Sequence, residues 1–277
     1  MQKALSPGAI GVKAPNIEAA AEAARLGGFS AVEISPKEVV ERGVEAAKAA
    51  LGEIKVAGFG APFDWRNDEA AWKAGLIDLP AQAAAMAALG CFRCSTYIMP
   101  FSEERTFDEN YDFHVSRIKP LAAALAVEGI HFGMEYVGPA TMRAGKKYPF
   151  VHDLAGMLKM AADCGQNVGL LMDAWHWYTS HETVADVLAL TAEQVVYVHV
   201  NDAPAGIAVD DQVDNTRALP CETGVIDLAA FLGALKKIGY DGPVVCEPFK
   251  KELNDLSDDA ARLKLVGAAM DKMLALV

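Results

Sequence analysis

Val195-Val196-Tyr197-Val198-His199-Val200-Asn201-Asp202 is the stretch on which the reading of the fold turns. A β-branched run of this length, ending abruptly in polar residues, reads as a strand buried on both faces, as in a parallel sheet. Other short apolar or β-rich runs lie on either side of it: Gly8–Val12, Ala31–Ile34, Ile54–Phe59, Cys94–Met99, His131–Tyr136, Val168–Asp173 and Pro243–Pro248. Amphipathic stretches alternate with them, at Ile17–Leu26, Ala70–Leu89 (with a break expected near Pro80), Asp112–Val127, Leu154–Cys164 and Leu228–Ile238. A last helical segment follows at about Asp258–Leu276. Gly27, Gly90 and Gly239 stand where helices need a residue tolerant of positive φ. The alternation predicts an α/β fold, a single (β/α)8 TIM barrel with a C-terminal closing helix. The 277 residues suit one domain over 1–277, since such barrels commonly run to about 250 residues. An open dinucleotide-binding sheet would need a glycine fingerprint after its first strand, and Gly8-Ala9-Ile10-Gly11 falls within that strand instead.

Composition bounds the function. Hydrophobic residues make up 52% and charged residues 22%, enough apolar material for a large core and unlike a disordered chain. The net charge of −12 repels polyanions, so no nucleic-acid partner is expected. No apolar run approaches the roughly 18 residues of a membrane span, and Met1–Gly8 lacks the apolar core of a signal peptide. Five cysteines, an odd number, fit a reducing cytoplasm. Cys91 and Cys94 form a C-x-x-C, but they follow the helical Ala81–Leu89 run and lead into a strand. A redox pair would open a helix, so buried, inert thiols are expected. The irregular piece Asp202–Thr223 is long for a compact domain, which points to function.

The chemistry is at the strand ends. Consecutive strands finish with Glu135, Asp173, His199 and Glu247. Charges at apolar strands are expensive unless paired, bound to metal or at a mouth, and the C-terminal strand ends of a barrel open onto one catalytic face. Alternation places Glu135 with Gly133, Asp173 with Leu171 and Gly169, His199 with Tyr197, and Glu247 with Val245. Three carboxylates together would repel unless one were protonated or a cation bound them. A three-oxygen, one-nitrogen set suits a divalent ion: Mn2+, Mg2+, Co2+ or Zn2+.

The motifs G-M-E-Y (133–136), L-M-D-A-W-H (171–176), Y-V-H-V-N-D (197–202), E-T-G-V-I-D (222–227) and G-Y-D-G-P-V-V-C-E-P-F (239–249) carry a family likeness. Over about residues 130–250 the chain resembles the sugar isomerase/epimerase superfamily with the xylose-isomerase-like barrel. That superfamily includes ketose 3-epimerases, hydroxypyruvate isomerases, inosose dehydratases and, more distantly, a zinc endonuclease of base-excision repair. The resemblance implies that Glu135, Asp173, His199 and Glu247 hold one divalent metal ion, manganese foremost. It also implies that Glu135 and Glu247 are the acid/base pair, and that a small sugar or keto-sugar is the substrate. His176 would hydrogen-bond a substrate oxygen, and Arg217 corresponds to a substrate-contacting arginine. Members commonly carry Pro-Gly before the E-T-G segment. Here Pro220-Cys221 stands instead, which predicts a different turn beside Arg217.

Glu33, at the end of the second strand, is a further candidate for substrate hydroxyls. Trp175, Trp177, Tyr178, Phe63 and Trp65 follow strand ends, where aromatic rings could form an apolar wall for a sugar ring. Exposed rim aromatics would also be compatible with a homo-oligomer. The expected function is a divalent-metal-dependent isomerase or epimerase working by proton transfer through a metal-stabilised enediolate. An inosose-type dehydratase on the same scaffold is the alternative. A repair endonuclease would need a DNA-binding surface and further histidine and carboxylate ligands, which the acidic, histidine-poor sequence does not offer. The sugar is expected to be unphosphorylated, since no glycine-rich phosphate cradle is visible.

Overall fold

A computed structural model describes residues 1–253 and 255–277 in full. Its main sheet comprises β1 (Gln2–Leu5), β2 (Ala31–Val32), β3 (Lys55–Val56), β4 (Phe59–Gly60), β5 (Arg93–Ile98), β6 (His131–Tyr136), β7 (Val168–Asp173), β8 (Val195–Val200) and β9 (Pro243–Cys246). All the pairings in this sheet are parallel, in the order β3-β2-β1-β9-β8-β7-β6-β5-β4. The two edges of that order, β3 and β4, are successive pieces of one barrel crossing. Ala57 N donates to Val32 O at 2.9 Å and Ala61 N to Ser95 O at 2.9 Å, so the crossing is handed from β2 to β5. The sheet therefore curls into a (β/α)8 barrel.

Helices cover its outside, among them α1 (Ile17–Leu26), α2 (Pro36–Arg42), α3 (Val44–Leu51), α4 (Glu69–Ala88), α5 (Phe107–Ala126), α6 (Leu154–Cys164), α7 (Ala174–Thr179), α8 (Leu228–Lys237) and the closing α9 (Asp259–Leu274). Several starts are capped by side-chain oxygens, as at Asn16, Asp68, Asp153 and Asp227, each accepting a backbone N–H of the first turn. Among the described residues, no helix is long and apolar enough to cross a membrane.

The structure differs from the sequence reading in two places. The first strand is Gln2–Leu5, not Gly8–Val12. Gly8–Ile10 is a 3-10 turn closed by Gly11 at φ 72°, and its apolar Ile10 is buried after the strand has ended. The helix over 69–88 does not break at Pro80. Buried Leu79, Ala83 and Met86 hold the chain to the barrel around it, so the loss of one backbone donor is tolerated. Cys221, where members of the resembled superfamily commonly carry glycine, adopts φ 61°.

Inside the barrel, Ala4, Ala31, Ala57, Leu171, Tyr197 and Val245 form a small apolar layer of their own. The large tyrosine ring is accommodated by alanines and by Gly58, where a Cβ would lie 2.7 Å from the Tyr197 ring. This plug is the floor of the site. Two residues farther along these strands come Ser6, Glu33, Asp173, His199 and Glu247, because side chains of like parity share a face.

Candidate metal centre

Glu135 on β6, Asp173 at the end of β7, His199 on β8 and Glu247 just beyond β9 each offer a ligand atom, and these atoms all lie within 4.8 Å of one another. Among the described residues no other such cluster occurs. The His199 Nδ1 atom is 3.2 Å from Glu135 Oε1 and 3.5 Å from Glu247 Oε2. Glu135 Oε1 and His199 Nδ1 are buried and lack a well-aligned hydrogen-bond partner. Orphaned polar atoms are costly inside a protein. A cation between them would satisfy both, so the donor set fits a divalent ion.

On protein charges alone the cluster is polarised. Burial pushes Glu135 up to about 8 against the pull of His199, with Glu247 and Asp173 adding repulsion. Burial opposes ionisation of Asp173 too, but Arg217, His176 and His199 hold it at about 2. Glu247 is likewise lowered, as His199 and Arg217 outweigh its burial. His199 is raised well above the usual histidine range: burial disfavours its charge, but the surrounding carboxylates prevail.

Arg217 enters from the long loop. A bridge between Asp202 and Ala218 carries that loop back to the barrel mouth, and the Asp202 carboxylate accepts the backbone N–H groups of Ala203, Thr223, Gly224 and Ile226. Arg217 Nη1 donates to Asp173 Oδ2 at 2.8 Å and Glu247 Oε2 at 3.1 Å, and Nη2 donates to Asp214 Oδ1 at 2.8 Å. His176 Nδ1 accepts from Gly138 N at 3.1 Å, which leaves the proton of the neutral ring on Nε2. Burial, with Arg217 adding repulsion, lowers His176 to about 4. Asn201 Nδ2 donates to Asp173 Oδ1 at 2.9 Å and fixes that carboxylate from its other side.

A cavity of ≈ 260 Å³ opens onto Glu135, His199, Glu247 and Glu33, and also onto Ser6, Ser95, Thr96, Tyr97 and Arg66. A second lobe of ≈ 390 Å³ shares Ser6, Glu33 and Gly60 with it. Glu33 accepts from Tyr197 Oη at 2.8 Å, and burial raises its pKa. Glu33 stands on the cavity wall. His176 and Arg217 are brought to the cluster but sit behind that wall, buried.

The aromatic wall is placed differently. Trp175 is fully buried, because α7 starts directly after Asp173 and turns the indole inward, under the Arg217 guanidinium at 5.3 Å. Trp65 is also fully buried and donates to Thr96 Oγ1 at 3.2 Å. Phe63 packs over Gly75 of α4, and Trp177 packs against Phe231 with the rings tilted at 42°. None of these four rings lines either lobe. Arg66, Tyr197 and Asn201 were not among the expected site residues. Asn201 and Tyr197 had a signal, since both lie in the strand that carries His199. The cysteines are free and mostly buried, and burial pushes Cys91 up to about 11, as expected of inert thiols.

A model of the xylose isomerase-like TIM barrel family matches residues 20–271. A xylose isomerase domain protein from Alicyclobacillus acidocaldarius has a similar structure, with a TM-score of 0.88 at 30% identity over 100% of this chain and 99% of that one. Inosose isomerase of Bacillus subtilis (strain 168) is 31% identical over 98 residues, 34% of each chain. Ketose 3-epimerase of Arthrobacter globiformis is 30% identical over 97 residues, 35% of this chain and 28% of that one. These matches span about a third of the length of the two curated relatives.

Proposed function

Because the chain belongs to the xylose isomerase-like TIM-barrel family, we propose that it is a divalent-metal-dependent isomerase or epimerase of keto-sugars. The observation that carries the reading is the convergence of Glu135, Asp173, His199 and Glu247, with orphaned ligand atoms, at the wall of a small polar cavity. These residues would hold the ion, manganese being the expected one, which supplies Lewis-acid polarisation of a substrate carbonyl. Glu135 and Glu247 come from β6 and from the end of β9, which β7 and β8 separate in the sheet. On this reading their carboxylates would reach a bound sugar from different sides. One takes the proton from the carbon beside the carbonyl and the other returns a proton to the opposite face, which inverts that carbon. Arg217 keeps Asp173 and Glu247 ionised, and Glu33, held by Tyr197, receives substrate hydroxyls.

Incubation of the Mn2+-loaded protein with keto-sugars in D2O tests the reading. Deuterium at the α-carbon of an epimerised product is the expected result. Loss of water to an unsaturated or diketone product would establish the dehydratase instead, and absence of exchange with every keto-sugar tried would overturn both.

A further inference from the structure

Arg66 is a cation on the cavity wall that takes no part in the proton transfers. Arg66 lies between two rings, its Cζ 4.4 Å from the Trp65 centroid and 4.1 Å from that of Tyr97. Its Nη2 donates to Thr96 Oγ1 at 2.6 Å and to the Tyr97 carbonyl. Its Nε is buried with no hydrogen-bond partner. Arg217 meets Asp173, Glu247 and Asp214, whereas among the described residues no carboxylate lies within 4.0 Å of the Arg66 guanidinium. Asp64, two residues before it, accepts the backbone N–H groups of Arg66 and Asn67 and makes no direct ion pair with the guanidinium.

A half-buried guanidinium without a counter-charge is costly in the free protein. Stacking fixes its plane, and with both Nη2 hydrogens donated to Thr96 and Tyr97 and Nε shut off from the cavity, Nη1 and the positive charge are left for an anionic ligand. The far lobe differs in kind: Glu33, Glu38 and Asn16 make it rich in acceptors, suited to hydroxyls and repellent to anions.

We propose that Arg66 determines specificity for an anionic substrate, a sugar acid whose carboxylate pairs with this guanidinium while its hydroxyl-bearing end extends toward Glu33. The proposal rests on the cavity being the keto-sugar site. A phosphate ester is a poorer match, since it carries nearly two charges and is usually held by several donors at once.

Calorimetric titration of the Mn2+-loaded protein with ribonate, ribitol and ribitol 5-phosphate tests it, in the wild type and in R66M and R66K. Ribonate should bind the wild type about tenfold or more tighter than ribitol, as a charge-assisted pair requires. R66M should reduce that ratio to about twofold or less, and R66K, which keeps a charge but loses the stacked plane that positions it, should fall between. A carboxylate preference that survived in R66M would belong to the metal and overturn the proposal, as would tighter binding of the phosphate ester. Metal-dependent ribitol binding with no gain for ribonate would sink the role of Arg66 and leave the sugar site standing. If neither polyol bound the metal-loaded protein, the sugar-site reading would fall and this proposal with it.

Discussion

Arg217 Nη1 lies 2.8 Å from Asp173 Oδ2, and both side chains are almost wholly withdrawn from solvent. The pair closes the back of the carboxylate cluster, so it is a structural joint as well as an electrostatic one. Removing one partner of a buried pair leaves the other charge uncompensated. R217M should therefore lose about 3–5 kcal/mol of stability at neutral pH, measured by urea unfolding with divalent ions chelated. The pH dependence follows from Asp173, held at about 2 by Arg217 in the native protein. A depressed carboxyl contributes stability above its unfolded pKa, lost as pH falls through about 2. In R217M burial dominates and raises the same carboxyl, so acidification relieves the variant first. The stability gap should narrow from pH 7 to pH 4.5, and a constant gap would refute the coupling.

Metal uptake should release protons. Glu135 is pushed up to about 8 by burial, and His199 is raised above its ordinary range by the carboxylates around it. Both bind more protons in the chelated native state than in the unfolded chain at pH 6–8, so the chelated protein should lose stability as pH rises across that window. Ligation requires both groups deprotonated. Apparent Mn2+ affinity should then rise with pH, about tenfold per unit for each proton displaced. Calorimetry in buffers of different ionisation heat counts the protons, and a pH-independent affinity would contradict the assignment of these ligands.

The parity of the strands made most of this centre legible. His199 two residues after Tyr197, and Glu247 two after Val245, could be placed above an apolar floor from alternation alone, because a barrel interior imposes a period of two. Gly8–Val12 misled because its burial comes from a 3-10 turn over the barrel, while the true first strand opens with polar Gln2 and Lys3. Trp175 and Trp65 stand where loops were expected, yet tertiary packing draws both indoles inward. Arg66 was invisible for a related reason. Its position depends on the ring of Tyr97 and the hydroxyl of Thr96, both on β5, roughly thirty residues away and with no local pattern to announce them.

Cys221 offers a test of backbone strain. Its φ of 61° is a left-handed conformation in a residue with a Cβ, which costs about 1–2 kcal/mol relative to glycine's freedom there. Glycine in turn loses more entropy on folding. C221G should raise unfolding stability by about 1 kcal/mol or less and leave metal affinity unchanged, because Asp202 anchors the loop independently. A destabilised variant would mean that the Cys221 side chain contributes packing that outweighs its strain.

Loss of either glutamate should affect two epimeric sugars unequally. If Glu135 and Glu247 serve opposite faces of one carbon, each takes its proton from only one of two epimeric sugars. E135Q should then abolish α-carbon exchange into D2O for one epimer, by about 10²–10⁴-fold, while the other still exchanges through Glu247. E247Q should show the reverse preference. Since both residues also offer ligand atoms, Mn2+ content must be measured in each variant and brought to saturation before exchange rates are compared. Metal-saturated variants that lose exchange with both epimers equally would point to a single base and a different route for the second proton. Variants that keep full exchange with both would remove the glutamates from the chemistry and leave them as ligands alone.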